Sequence, residues 1–161
     1  MSKAANTPAT LQLSRAGKAF ILHPYDYAAG DDHHKGVSAA HALGQAEESV
    51  FKTLMVEIDG RPACAIIPVA QSLSMKKVAA HFGAKTAVMM APDKAERLTG
   101  YRVGGISPFG QKRACPTVLD AQAQGQAAIF INAGKRGLLL EIAPEDAASA
   151  LQAEMVNICA D

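Results

Sequence analysis

One hairpin does most to limit what this chain can fold into. Residues 49–58 run Ser-Val-Phe-Lys-Thr-Leu-Met-Val-Glu-Ile, an apolar and β-branched stretch. Asp59-Gly60 follows, a dipeptide suited to a two-residue turn, and residues 61–69 form a second apolar run that pairs back on the first. Further strands are predicted over residues 19–23, 86–90, 117–119, 127–132, 137–142 and 156–159. Helices are predicted over residues 8–17, 37–43, 74–82, 92–98 and 144–153, with Thr7 and Ser74 as N-caps and Gly17, Gly44, Gly83 and Gly100 as stops. The hairpin at residues 127–142 is expected to turn across residues 133–136. Hairpins mixed with helices, without regular βαβ alternation, argue for an α+β fold. The expectation is a single domain over residues 8–161, with a mixed, mostly antiparallel sheet flanked by short helices, after a disordered start at residues 1–7.

Composition narrows the class. The chain of 161 residues is 49% hydrophobic and 19% charged, as in an ordinary soluble globular protein. No apolar run reaches the length of a membrane span, and the first residues lack the apolar core of a signal peptide, so the cytoplasm is the expected location. The three cysteines, Cys64, Cys115 and Cys159, are odd in number and far apart, which argues against a disulfide framework or a zinc site. Cys115 follows Lys112 and Arg113, cations that could lower its pKa, and is the one candidate nucleophile; no histidine accompanies it in the pattern. Asp31, Asp32, His33 and His34 invite a metal reading, but adjacent residues seldom converge on one ion, and a solvated loop is the simpler account. No metal and no cofactor is expected.

The net charge of +1 hides an asymmetry. Residues 71–136 carry ten Lys/Arg against three acids, and the rest of the chain six against twelve. A positive middle of this kind suits either a solvated face or a salt-sensitive contact with a nucleic-acid backbone. Within it, residues 100–113 hold four glycines, Pro108 and three cations. The Gly104-Gly105 pair lets the chain turn sharply, so that the N–H groups of Gly105, Ile106 and Ser107 could face one point. Such a set of donors suits an oxyanion, a carbonyl oxygen or a phosphate, while an ordinary turn remains the plain alternative. It is neither a P-loop nor a dinucleotide fingerprint. Lys52 inside its strand is either an edge residue with its head in water or a cation aimed into a cleft.

The stretch Gly-Tyr-x-Val-Gly-Gly-Ile-Ser-Pro-x-Gly-Gln-Lys at residues 100–112 resembles the signature of the YbaK/EbsC family of editing domains, whose relatives are inserted in bacterial prolyl-tRNA synthetases. Phe-Lys-Thr-Leu-Met-Val at 51–56, Ile-Pro-Val-Ala at 67–70 with Leu-Ser-Met-Lys-Lys-Val-Ala after it, and Gly-Lys-Arg-Gly-Leu-Leu-Leu-Glu at 134–141 fit the same family in order and spacing. The resemblance implies a YbaK-like fold and a site between the glycine loop, Lys52 and the region of Tyr25. Lys52 matches the family's essential lysine, and Gly104, Gly105, Ser107 and Pro108 match its loop. On this basis Lys52, Gly105 and Ser107 are expected to be catalytic, and Tyr25, Gly104, Ile106, Pro108 and Asn132 to bind substrate. Asn132 stands where the family often has serine. Lys76, Lys77, Lys112, Arg113, Lys135 and Arg136 are candidates to hold tRNA.

The activity so implied is trans-editing, the removal of cysteine from misacylated Cys-tRNA(Pro) with the substrate thiol attacking its own ester. The implied partners are the acceptor end of tRNA(Pro) and prolyl-tRNA synthetase, with no membrane. Three alternatives stay open: an Ala-tRNA(Pro) deacylase using water, a non-catalytic module binding tRNA ends or the synthetase, and a thiol enzyme using Cys115.

Overall fold

A computed structural model describes residues 6–27 and 35–161. The loop residues Asp31, Asp32, His33 and His34, and residues 1–5 of the expected disordered start, lie outside that description. The predicted hairpin is present as β2 (Phe51–Ile58) and β3 (Arg61–Pro68), in register from Phe51 opposite Pro68 to Ile58 opposite Arg61. Asp59 and Gly60 both have positive φ, 47° and 81°, the mirror-image turn that matches the twist of a two-residue hairpin. An aspartate tolerates this because its carboxylate accepts the N–H groups of Lys85 and Thr86, which also anchors the entry to β4 (Ala87–Met89).

The expected mixed, mostly antiparallel sheet is divided in two. Strands β5 (Thr117–Asp120) and β8 (Glu154–Val156) complete a five-stranded sheet of order β4-β2-β3-β5-β8, in which β3–β5 and β5–β8 are parallel. Strands β1 (Ile21–Pro24), β6 (Ile129–Lys135) and β7 (Leu138–Ile142) form an antiparallel sheet of order β1-β7-β6. A parallel bridge between Val50 and Phe130 joins the two. The helices are α1 (Pro8–Arg15), α2 (Lys35–Ala42), α3 (Met75–His81), α4 (Pro92–Thr99) and α5 (Pro144–Leu151). No helix among the described residues is long and apolar enough to cross a membrane.

Strand β2 is buried on both faces. Phe51 and Met55 join Ile66, Phe109, Ile131 and Leu140 in the main core, which α1 and α5 close with Leu13 and Ala147. Val56 and Ile58 join Ile67, Val78 and Ile158 on the other face, under α3. A third cluster, Ala39, Ala40, Val50, Val69, Phe130 and Leu139, packs where the two sheets meet.

Two boundaries differ from expectation by more than two residues, each for a local reason. The β6–β7 hairpin does not turn over residues 133–136. β6 runs on to Lys135 through an irregular step between Asn132 and Lys135, and the turn falls at Arg136-Gly137. The Asn132 Oδ1 accepts from the N–H groups of Gly134 (2.6 Å) and Lys135 (3.2 Å), which stabilises the bulge. The last strand is Glu154–Val156, not 156–159, because the Asp120 carboxylate takes the Ile158 N–H at 3.0 Å and draws the chain off the ladder.

Thr7 ties the first helix to the site-bearing sheet. Its hydroxyl accepts from the Thr10 N–H (3.1 Å) and donates to the Ala133 carbonyl of β6 (2.6 Å). Thr7→Ala is expected to lower the unfolding free energy by about 1–2 kcal/mol, read by denaturant titration. An unchanged midpoint would contradict the role given to this cap.

Candidate active site

The glycine stretch folds as a loop whose shape is set by close backbone packing. Gly104 has φ +90°, and a Cβ there would collide with the Tyr27 hydroxyl. Gly105 has ordinary φ, yet a Cβ on it would stand 2.8 Å from the Arg136 nitrogen and 3.0 Å from the Lys135 carbonyl carbon. The loop therefore lies flat against the β6–β7 turn, a contact that only glycine allows. Tyr101 holds the loop's base: it is buried, and its hydroxyl donates to the Phe109 carbonyl at 2.7 Å. On the far side the Gly110 N–H donates to Gln12 Oε1, joining the loop to α1. Arg136 fastens the other end, with Nε donating to the Val103 carbonyl at 2.9 Å and its guanidinium 5.6 Å above the Tyr27 ring.

Between this loop, the start of β2 and the segment after β1 lies a cavity of about 190 Å³. Tyr25, Lys52, Gly104, Ile106 and Asn132 line it, so five of the expected site residues come together from four separate parts of the chain. Tyr27, Thr53 and Val103 also line it and were not singled out from the sequence. Tyr27 lies two residues after Tyr25 and Thr53 directly follows Lys52, but nothing in composition or spacing marked them. The space is smaller than a typical small-molecule pocket and suits an aminoacyl group, not a whole nucleotide.

Three expected residues are placed elsewhere. The Gly105 N–H is taken within the loop by the Arg102 carbonyl at 2.8 Å. Ser107 is fully buried; its Oγ accepts the Phe109 N–H at 3.2 Å and its carbonyl accepts Gln111 Nε2 at 3.0 Å. Pro108 faces a second cleft of about 470 Å³ behind the loop, with Gln12 and Cys115. These residues shape the loop, while Gly104 and Ile106 present it. Cys115 lies in that second cleft, and burial pushes its thiol up to about 11 despite Arg113. It is neither a ready thiolate nor near Lys52's cavity, so the structure gives no support to the thiol-enzyme alternative.

Lys52 is half-buried, and desolvation lowers its pKa. No carboxylate among the described residues pairs with it. The Cys159 thiol interacts with it electrostatically, but burial pushes that thiol up to about 12, so it is neutral at pH 7 and supplies no counter-charge. A cation without a counter-ion beside a small cavity is suited to an incoming anion. Asn132 is used differently from a serine: Nδ2 donates to the Lys135 carbonyl (3.2 Å) and the Gly104 carbonyl (3.4 Å), tying the bulge to the loop.

The outer cations fall into groups. Lys135 and Arg136 are exposed at the cavity rim, while Lys112 and Arg113 are exposed near the end of α4, their N–H groups on the Thr99 and Leu98 carbonyls. Lys76 is exposed on α3. Lys77 has a local partner instead, with Nζ on the Cys159 carbonyl (2.8 Å) and on Asp161 (2.9 Å), which offsets its unfavourable place in the first turn of a helix.

The fold and site define a two-sheet α+β domain in which a lysine with no carboxylate partner among the described residues and a glycine loop line one small cavity. The chain belongs to the aminoacyl-tRNA editing domain family, which it matches over residues 33–150. A protein of Enterococcus faecalis that carries the provisional name Cys-tRNA(Pro)/Cys-tRNA(Cys) deacylase EbsC is 39% identical over 135 residues, covering 83% of this chain and 82% of its own. A proline–tRNA ligase of Nitratidesulfovibrio vulgaris is 28% identical over 93 residues, 58% of this chain and 16% of the ligase. A crystal structure described provisionally as a trans-editing enzyme for prolyl tRNA synthetase superposes with a TM-score of 0.87 at 18% identity, over 100% of this chain and 99% of that one. At that identity the likeness is one of fold, and it matches the YbaK-like α+β fold expected from the sequence.

Two outcomes are expected. Because burial disfavours the Lys52 ammonium, its folded pKa lies below its unfolded one and the unfolded chain binds that proton more tightly. Holding the charge therefore costs stability at neutral pH, and the cost fades as pH rises from the lowered folded value toward the unfolded one. Lys52→Met should leave the melting temperature at pH 7 unchanged or raised; a fall of several degrees would contradict this. Gly105→Ala should destabilise the fold by about 1–3 kcal/mol in denaturant titration, since backbone atoms must move to admit the methyl group.

Proposed function

We propose that this protein is an aminoacyl-tRNA deacylase acting in trans, and that it removes cysteine from misacylated Cys-tRNA(Pro). Membership of the editing-domain family and the 39% identity to the Enterococcus faecalis protein support the reaction class and the cysteinyl substrate. One observation carries the mechanism. Among the described residues lining the cavity there is no cysteine, histidine, aspartate or glutamate. The described lining residues thus offer no Cys–His or Ser–His–Asp set there, which supports the substrate's own thiol as the nucleophile.

The chemistry is modest because an aminoacyl ester is already activated. Ile106 and Gly104 bring the loop backbone to the ester carbonyl. The N–H group of Ile106, which lines the cavity, has no partner among the described residues, which leaves it available as a donor to a developing oxyanion. Lys52 holds the terminal ribose or phosphate and adds positive charge near the leaving oxygen. The substrate sulfur attacks its carbonyl carbon, the C–O bond to the ribose breaks, and the thiol proton passes to the departing ribose oxygen. The products are free tRNA and a cysteine thiolactone, which water later opens. By this route the first step is lyase-like, whereas attack by water would make the protein a hydrolase. Alanine and proline bring no thiol, so selectivity follows from the substrate.

The exposed Lys135 and Arg136 at the rim, with Lys112 and Arg113, are proposed to meet the acceptor end of the tRNA, and Lys76 to extend that surface. The part-length similarity to proline–tRNA ligase supports prolyl-tRNA synthetase as a partner that supplies tRNA selection. This reading places the protein in the cytoplasm, where tRNA is charged, and takes residues 8–161 as the editing domain.

Deacylation of Cys-tRNA(Pro), Ala-tRNA(Pro) and Pro-tRNA(Pro) by wild type, Lys52→Ala and Cys115→Ala tests the proposal. Loss of cysteine alone is expected, abolished in Lys52→Ala and retained in Cys115→Ala. Loss of alanine instead would assign the sister specificity and a water nucleophile. Salt-sensitive tRNA binding with no release from any of the three would leave a binding module.

A further inference from the structure

Among the described residues, one buried side-chain polar atom has no hydrogen-bond partner: Thr53 Oγ1. Such an atom is costly in a folded protein and is rarely left so without a reason. Thr53 lines the same cavity as Lys52 and Gly104, and its place in β2 shows why the hydroxyl is left over.

The Val69 N–H donates to the Val50 carbonyl at 2.9 Å, which turns the peptide groups of Val50, Lys52 and Leu54 toward β3. By alternation those of Phe51, Thr53 and Met55 face the opposite edge. Two neighbours cover parts of that edge. Phe130 of β6 bridges Val50, while β4 pairs with Val56–Ile58 and the Met90 N–H takes the Met55 carbonyl at 3.1 Å. Thr53 falls in the gap between them, opposite the glycine loop. Its N–H, carbonyl and hydroxyl are therefore uncommitted among the described residues at one place, and the carbonyl and hydroxyl oxygens are free to accept. Asn132 Oδ1, another acceptor on the cavity, is already used by two N–H groups of the bulge.

Uncommitted acceptors suit a group that only donates. Of the parts of a cysteinyl ester, the α-ammonium has three donors and no acceptor, the carbonyl accepts, and the thiol donates weakly. We propose that Thr53 is a specificity-determining residue: its hydroxyl, with its main-chain carbonyl at the open edge of β2, holds the α-ammonium of the aminoacyl group. This rests on the deacylase reading of the same cavity. The contact orients the ester so that its carbonyl meets the loop, and it rejects esters of acids that lack the amine.

The test compares two esters on the same tRNA(Pro), cysteine and 3-mercaptopropionic acid, which differ only in the amino group and both keep the thiol. Thr53→Val is expected to lower kcat/KM for the cysteinyl ester about tenfold, equal to about 1.4 kcal/mol. For the desamino ester the change should be no more than about twofold, within ordinary non-additivity. Thr53→Ser should restore most of the cysteinyl rate, and Thr53→Val should melt no lower than wild type, since it deletes an unpartnered hydroxyl. Equal losses on both esters, or none on either with an active enzyme, would overturn the proposal. If the wild type cleaves neither ester, the deacylase reading fails, and calorimetry with amide-linked cysteinyl-adenosine and its desamino counterpart decides on Thr53. A selective loss of affinity for the cysteinyl compound in Thr53→Val supports the contact, and equal affinities overturn it.

Discussion

The candidate site depends on the approach of one backbone to another. The glycine loop lies so near the β6–β7 turn that a Cβ at Gly105 would stand 2.8 Å from the Arg136 nitrogen. That contact sets the distance between the loop and β2, and so the size of the cavity. The surrounding bonds serve it: Tyr101 on the Phe109 carbonyl, Arg136 on the Val103 carbonyl, and the Asn132 amide bridging the bulge to Gly104. All are polar, and two of the three join the loop to the β6–β7 turn across about thirty positions of sequence, beside the apolar core that holds Phe109, Ala133 and Leu138. A rigid core thus supports a site built mostly from main chain.

The site carries features that do nothing for stability. Among the described residues, Lys52 keeps a half-buried charge without a counter-ion, and Thr53 keeps an unpartnered hydroxyl beside it in sequence. Strand β2 otherwise packs into apolar clusters on both faces. Placing uncommitted polar groups on such a strand limits their motion, so little ordering is left for substrate to impose.

Much of this was legible in the sequence. The β2–β3 hairpin, its Asp59-Gly60 turn and the Thr7 cap follow from short-range rules and appear as expected. The motif at residues 100–112 pointed to the family, and Lys52 was placed in it by resemblance. The division into two sheets was not legible, because the contact between them is a single bridge, Val50 with Phe130, residues 80 positions apart, that is not extended into a ladder. The turn at Arg136-Gly137 was misplaced by three residues at its start because Asn132 builds a bulge where composition suggests a loop. Ser107 and Pro108 belong to the motif, yet neither lines the cavity that holds Lys52, so motif membership did not separate loop-shaping from cavity-lining residues. Thr53 could not be found, since the gap at β2's edge depends on where β4 and β6 stop.

The account's central claim is that the cavity supplies position and charge while the substrate supplies the nucleophile. The most direct measurement is the release of S-methylcysteine from S-methylcysteinyl-tRNA(Pro), compared with release of cysteine under the same conditions. The account predicts that blocking the sulfur abolishes turnover while the blocked ester still competes with Cys-tRNA(Pro) for the enzyme. Release of S-methylcysteine at a rate like that of cysteine would contradict it and assign the attack to water.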